Sequence, residues 1–176
     1  MQKPTQISAI TNPSKIAIVG ISGSGKSLLA RHLGEKLNLP VIHMDKIFWK
    51  GAWEAVPEKE YLDQHAKLLE QEQWITEGYI DAKMADRVRM ADIIIYLDYS
   101  GLLCAWRVFL RWFKHRRVSR PELPLEALEK LDLKFLWLVF SRGERKDVEA
   151  ALQGVDQSRI LRATSPQQMD KLIQKI

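Results

Sequence analysis

Only one cysteine, Cys104, occurs in the 176 residues, so no internal disulfide can staple the chain and its stability must come from an apolar core. The four histidines form no H-E-x-x-H pair and no Cys/His cluster, which removes the usual protein-caged zinc site. No apolar run approaches the ~20 residues needed to cross a bilayer. Residues 1–14 are polar, contain Pro4 and Pro13 and lack the apolar core of a signal peptide, so they are expected to form a flexible extension. These absences point to a cytoplasmic protein. Internal repeats and low-complexity linkers are missing too, so residues 15–176 are expected to form a single domain. The net charge of +5 suits nucleic acid or anionic lipid, but equally arginines gathered around phosphates, and does not choose between them.

What is present is led by Gly20-Ile21-Ser22-Gly23-Ser24-Gly25-Lys26-Ser27, a complete G-x-x-x-x-G-K-[ST] phosphate-loop pattern. A β-branched run at 15–19 precedes it and helical apolar spacing at 28–37 follows, the context the pattern needs. The glycines permit close backbone approach, so successive N–H groups from Gly20, Ser22, Gly23, Ser24, Gly25 and on to Leu28 can cradle phosphate at a helix N-terminus. Lys26 is the expected contact to the β- and γ-phosphates, and the Ser27 hydroxyl the expected Mg²⁺ ligand.

Beyond the loop, strands are expected at 41–43, 73–76, 92–98 and 159–161, with helices at 57–69, 81–90, 101–117, 125–140, 144–152 and 167–176. Residues 46–53 read as an aromatic-rich loop. In the 101–117 helix, Leu102, Leu103, Trp106, Phe109, Leu110 and Phe113 form an apolar side that a globular core would bury. Burying that side argues against a membrane-surface role, which needs it exposed. The alternation of strands and helices implies a doubly wound α/β fold, whose ligands sit at the carboxyl ends of the strands. Asp45, Glu77, Asp98 and Thr164 all fall just past predicted strands and should converge with the phosphate loop. Asp98, ending the apolar run IIIYLD, is a candidate Mg²⁺ ligand on that pattern, or else a cap for the helix that follows.

Together, GISGSGKS, HMDKIFWK, WITEGY, IIIYLD and RVFLRWFKHRR resemble the adenylate-kinase-like branch of P-loop kinases, most closely the small FlaR-type topology modulation proteins. The likeness spans nearly everything after Ser14. It implies a three-layer αβα fold, a parallel five-stranded sheet of order 2-3-1-4-5 and a basic helical lid at about 107–123. The activity it implies is Mg²⁺-dependent transfer of the γ-phosphoryl group of ATP to a small acceptor, a nucleoside, nucleotide or related metabolite. Glu77 then corresponds to the acid that supports Mg²⁺, with Glu in place of the family's Asp, and is preferred over Asp98. Asp45 is similar to the acid that addresses the acceptor hydroxyl. Arg107 and Arg111 have the spacing of lid arginines that neutralise the moving phosphoryl group, with Arg116, Arg117 and Arg120 extending the basic segment. Arg162 opens a loop similar to the one that packs on adenine. The alternatives are a nucleotide-binding regulator that lays its basic arm on DNA, and an NTPase without a small acceptor.

Overall fold

Runs of Ile, Val and Leu too short for a helix give the sheet, and the segments between them supply the layers that cover it. The structure is a computed structural model describing residues 13–50, 53–116, 131–174 and 176. In chain order the elements are β1 (Lys15–Gly20), α1 (Lys26–Leu37), β2 (Val41–His43), α2 (Met44–Phe48), β3 (Trp49–Lys50), β4 (Glu54–Ala55), α3 (Glu58–Leu69) and β5 (Trp74–Glu77). A 3₁₀ turn (Ala82–Met84), α4 (Asp86–Met90), β6 (Ile93–Leu97), α5 (Gly101–His115), α6 (Leu133–Phe140) and α7 (Arg145–Ala151) follow. A second 3₁₀ turn (Gln157–Arg159), β7 (Ile160–Ala163) and α8 (Pro166–Ile173) close the chain.

The main sheet is parallel with order β2-β5-β1-β6-β7, which is 2-3-1-4-5 when its five strands are counted alone. Side chains alternate across a strand. Ala17, Val19, Ile94 and Tyr96 therefore enter one core with Tyr61, Leu69, Val88 and Val148. Ile16, Ile18, Ile93 and Ile95 enter the other with Leu29, Leu33, Cys104, Val108 and Met169. Each fully buried Ile contributes roughly 1.5–3 kcal/mol, and β1 and β6 are buried on both faces, as central parallel strands are.

Several expectations need correction. The segment expected as a loop at 46–53 forms part of α2 and one strand of the β3–β4 hairpin, with residues 51–52 outside the described set. Of the helix expected over 125–140, the described part begins only at Leu133: Asp132 is extended and caps α6 through the Lys134 and Phe135 N–H groups at 2.8 and 3.3 Å. Residues 117–130, including Arg117 and Arg120, lie outside the described residues, so of the expected lid only 107–116 is seen, continuous with α5.

The main correction concerns which side of α5 faces inward. Leu102, Trp106 and Phe113 are 70, 56 and 59 % exposed, whereas Gly101, Cys104, Ala105 and Val108 are buried. The cause is a second stripe of small residues. A β-carbon at Gly101 would lie 1.9 Å from the Phe140 carbonyl oxygen, so α6 crosses α5 closely there. One at Gly23, where φ is +78°, would lie 2.4 Å from the Cys104 carbonyl oxygen, so the phosphate loop itself rests on this stripe. The argument that set aside a membrane-surface role therefore does not hold for the described residues. None of their helices is long and apolar enough to cross a membrane.

His65 on α3 is 4 % exposed, beside Tyr61 at 6.2 Å between ring centroids. Burial, helped by the charge of Arg87, lowers its pKa from 6.5 to about 4. The folded value lies below the unfolded one, so the stabilising contribution is complete above 6.5 and is lost as pH falls toward 4. Denaturant midpoints measured across this window should decline in the wild type and stay flatter in His65→Leu.

Candidate functional site

At the end of β1 the chain turns through Gly20 to Gly25 and enters α1, whose first residue is Lys26. The Lys26 ammonium donates to the carbonyls of Gly20 at 3.0 Å and Ile21 at 3.1 Å. Ser24 closes the turn through its N–H to the Ile21 carbonyl at 3.2 Å and is buried. Leu28 is 68 % exposed, so its side chain points away from the loop and only its backbone is suited to an anion.

Parallel register brings Glu77 on β5 beside Ile18 of β1 and His43 of β2, gathering three strand ends at the loop. Ser27 donates from Oγ to Glu77 Oε2 at 3.1 Å, and His43 Nδ1 stands 2.6 Å from Oε1. Burial of Glu77 opposes its ionisation, but the His43 hydrogen bond, the Lys26 charge and the Ser27 hydroxyl outweigh it and hold its pKa below 4.5. Ser27 and Glu77 fit a Mg²⁺ ion, which keeps several waters and takes few protein ligands besides phosphate oxygens. Among the described residues no group of three His, Cys, Asp or Glu could cage a metal unaided.

The rival acid is otherwise occupied. Asp98 receives Arg145 Nε at 3.1 Å on Oδ1 and Arg162 Nε at 3.0 Å on Oδ2, and Arg142 also donates to it. Its side chain is only 7 % exposed within this three-arginine cluster. Arg162, expected beside adenine, is held there as well: it pairs with Asp98 and Glu149, and its guanidinium lies 4.9 Å from the Tyr96 ring centroid. Asp98 and Arg162 thus bind each other, while Ser27 and Glu77 meet at the loop.

Arg107 donates to the Ser24 carbonyl at 2.9 Å and lies 5.5 Å from the Tyr99 ring centroid, reaching the phosphate loop directly. Arg111, one turn later on the same stripe, lines a cavity of about 850 Å³ together with Ser22, Lys26 and Asp45. Asp45 stands on α2 against the Glu77-Gly78 corner, where a β-carbon on Gly78 would lie 3.3 Å from Asp45 Oδ1. Thr164, also expected at the strand ends, is turned to Gln168, with its N–H 2.9 Å from Oε1.

Sequence reading missed three residues. Glu144, just before α7, accepts from the Ser22 N–H at 2.5 Å and the Ser22 hydroxyl at 2.9 Å, placing a carboxylate on the anion-binding loop. His43 orients Glu77; its signal is in HMD, where it stands two residues before Asp45. Arg87 is fully buried and donates to the carbonyls of Gly78, at 3.2 Å, and Tyr79, bracing the corner that carries Glu77. No short motif marks Glu144 or Arg87. Cys104 is buried and its thiol is pushed up to about 11 by burial, which makes it a packing residue rather than a nucleophile.

No protein-family model and no curated protein matches this sequence. Solved structures do. A shikimate kinase from Acinetobacter baumannii in complex with shikimate aligns over 97 % of this chain and 96 % of its own, with a TM-score of 0.56 and 19 % identity. A gluconokinase from Sinorhizobium meliloti 1021 covers 93 % and 89 %, with a TM-score of 0.55 and 16 % identity. A sugar kinase from Janibacter sp. HTCC2649 covers 92 % and 94 %, with a TM-score of 0.54 and 13 % identity. At these identities the likeness is one of fold: the chain has the α/β P-loop kinase architecture along nearly its whole length.

Proposed function

We propose that this protein is a Mg²⁺-dependent kinase that transfers the γ-phosphoryl group of ATP to a small acceptor. The observation that carries the reading is one cavity in which Ser22 and Lys26 of the phosphate loop face Asp45 across the strand ends. The kinase names of the three structural neighbours support it.

In this reading the loop's N–H groups and Lys26 hold the donor phosphates, and Lys26 exchanges its carbonyl partners for phosphate oxygens. Ser27 and Glu77 would hold Mg²⁺, whose charge would offset that developing on the phosphates. Arg107 and Arg111, within reach of the loop and cavity, neutralise the transferring group. Asp45 accepts the proton of the acceptor hydroxyl as that oxygen bonds to the γ-phosphorus. The bond from this phosphorus to the β–γ bridging oxygen breaks, and its electron pair leaves with ADP. A screen of hydroxyl compounds for acceptor-dependent ADP release tests the assignment; release unaffected by every acceptor would favour an NTPase.

Glu144 holds a negative charge where phosphate is expected. Glu144→Gln keeps an acceptor for Ser22 and removes that charge, so ATP should bind about tenfold tighter, roughly 1.4 kcal/mol. Nucleotide titration by calorimetry measures this, and unchanged affinity would mean the carboxylate does not oppose the nucleotide.

The motifs HMDKIFWK and WITEGY resemble those of the FlaR-type proteins, but we favour a metabolite kinase over a DNA regulator. Of Arg107, Arg111, Lys114, Arg116, Arg117 and Arg120, the basic residues that a DNA-binding arm would use, Arg107 is turned to the loop and Arg111 to the cavity, while Arg116 lies 4.9 Å from the Phe113 ring centroid.

A further inference from the structure

The half of the cavity away from the phosphate loop has a chemistry that the kinase reading does not by itself require. Its wall is aromatic. Tyr61, Phe48, Trp49 and Trp53 form a row of edge-to-face contacts with centroid spacings of 5.2, 4.7 and 5.4 Å. Tyr61 is buried while Phe48, Trp49 and Trp53 are half-buried, so the row is anchored at one end and offers ring surface to the cavity along the rest. Such a wall suits a planar ring or a cation.

Its charge is negative. Asp45, Glu58, Asp81 and Asp132 line the cavity, whose described cations are Lys26 of the phosphate loop, Arg111, which the kinase reading gives to the transferring phosphoryl group, and Lys83, already paired with Glu58. Asp81 and Asp132 also occupy the helix N-termini that could have received an anion. Asp81 accepts from the Lys83 and Met84 N–H groups at 2.9 and 3.3 Å, and Asp132 caps α6. Arg87 stands behind this half but is fully buried against the Gly78 and Tyr79 carbonyls and does not line the cavity. Sites for phosphate or carboxylate groups use forked arginine donors or open helix N-termini. Arg111 aside, the described lining residues present neither.

We infer that the acceptor is a ring-bearing alcohol with no anionic group, uncharged or cationic: of the nucleoside kind rather than a nucleotide, a sugar acid or a sugar phosphate. The inference rests on the kinase reading above and narrows its acceptor. The aromatic row holds the ring, the carboxylates repel anionic analogues, and Asp45 faces the hydroxyl.

Matched probes that differ in one anionic group test this in the full-length protein without nucleotide, read by quenching of tryptophan fluorescence. The pairs are thymidine with thymidine 5′-monophosphate and uridine with uridine 5′-monophosphate. In at least one pair the uncharged member should bind about tenfold or more tighter, and Trp49→Phe should reduce the quenching. The double variant Asp81→Asn/Asp132→Asn keeps both caps, because Asn caps as well as Asp. It should narrow the preference severalfold, an effect that a merely structural role of the two aspartates would not produce. Equal or tighter binding of the anionic members overturns the inference, as does an unchanged preference in the double variant or no quenching by either uncharged probe. ADP release assayed separately keeps the two claims apart. Phosphorylation of an anionic acceptor would sink this inference and leave the kinase standing; a charge preference in binding without any ATP turnover would do the reverse.

Discussion

Lys26→Ala is expected to lower ATP turnover by at least about 10³-fold while leaving the fold nearly as stable as before. The lysine is the one cation within the phosphate loop itself, and losing a single oriented donor at a developing charge costs about 10²–10³ in rate even when that donor is neutral. Its structural role is small: two hydrogen bonds to the Gly20 and Ile21 carbonyls, in a partly exposed position. Each such bond is worth about 1 kcal/mol net, and alanine is the better helix former at the start of α1. The thermal midpoint should therefore move by no more than a few degrees. Acceptor-dependent ADP release and a melting curve on the same preparation check both halves.

The second large effect separates two acids that look alike in sequence. Asp98→Asn should destabilise the protein by about 2–3 kcal/mol, because it leaves Arg142, Arg145 and Arg162 gathered around a neutral amide. This lies below the cost of breaking a fully buried pair, since these arginine side chains are 32, 38 and 42 % exposed. The Mg²⁺ concentration for half-maximal rate should not change. Glu77→Gln should do the opposite: turnover falls about 10²-fold and the Mg²⁺ requirement rises, because the ligand's charge is lost beside Ser27. The acid limb of stability carries a further signature. The Glu77 pKa is lowered on folding, so its contribution is present above the ordinary value of 4.5 and is lost as pH falls through the lower folded value. That limb should be absent in Glu77→Gln. A shifted Mg²⁺ requirement in Asp98→Asn, with none in Glu77→Gln, would reverse the assignment.

What sequence could reveal here follows from how local each signal is. The phosphate loop is eight consecutive residues whose spacing is itself the chemistry, and the β-branched runs around it have one reading as parallel strands. The sheet order followed from the family likeness and agrees with the observed register. The inward face of α5 was misread because a stripe of large apolar residues outweighs a stripe of small ones in any hydrophobic pattern. The small stripe runs through Gly101, Cys104, Ala105 and Val108, with Arg107 and Arg111 at its edge, and the close approach of Gly23 selects it. Facing that stripe inward is what brings Arg107 onto Ser24. Glu144 lies 122 residues from Ser22, and its contact exists only once α7 has packed on the sheet, so no local pattern could announce it. The fate of Asp98 depends on three arginines from two later segments, and an apolar run ending in Asp looks the same with or without them.

The central claim is that the phosphate loop donates and the far half of one cavity accepts. Its most direct measurement is the destination of the γ-phosphate, followed with ATP labelled at that position, in the presence of Mg²⁺ and a panel of uncharged ring-bearing alcohols. The account predicts label in a phosphorylated acceptor, formed mole for mole with ADP and missing in Lys26→Ala. Label recovered only as inorganic phosphate, at a rate that no acceptor changes, would contradict it.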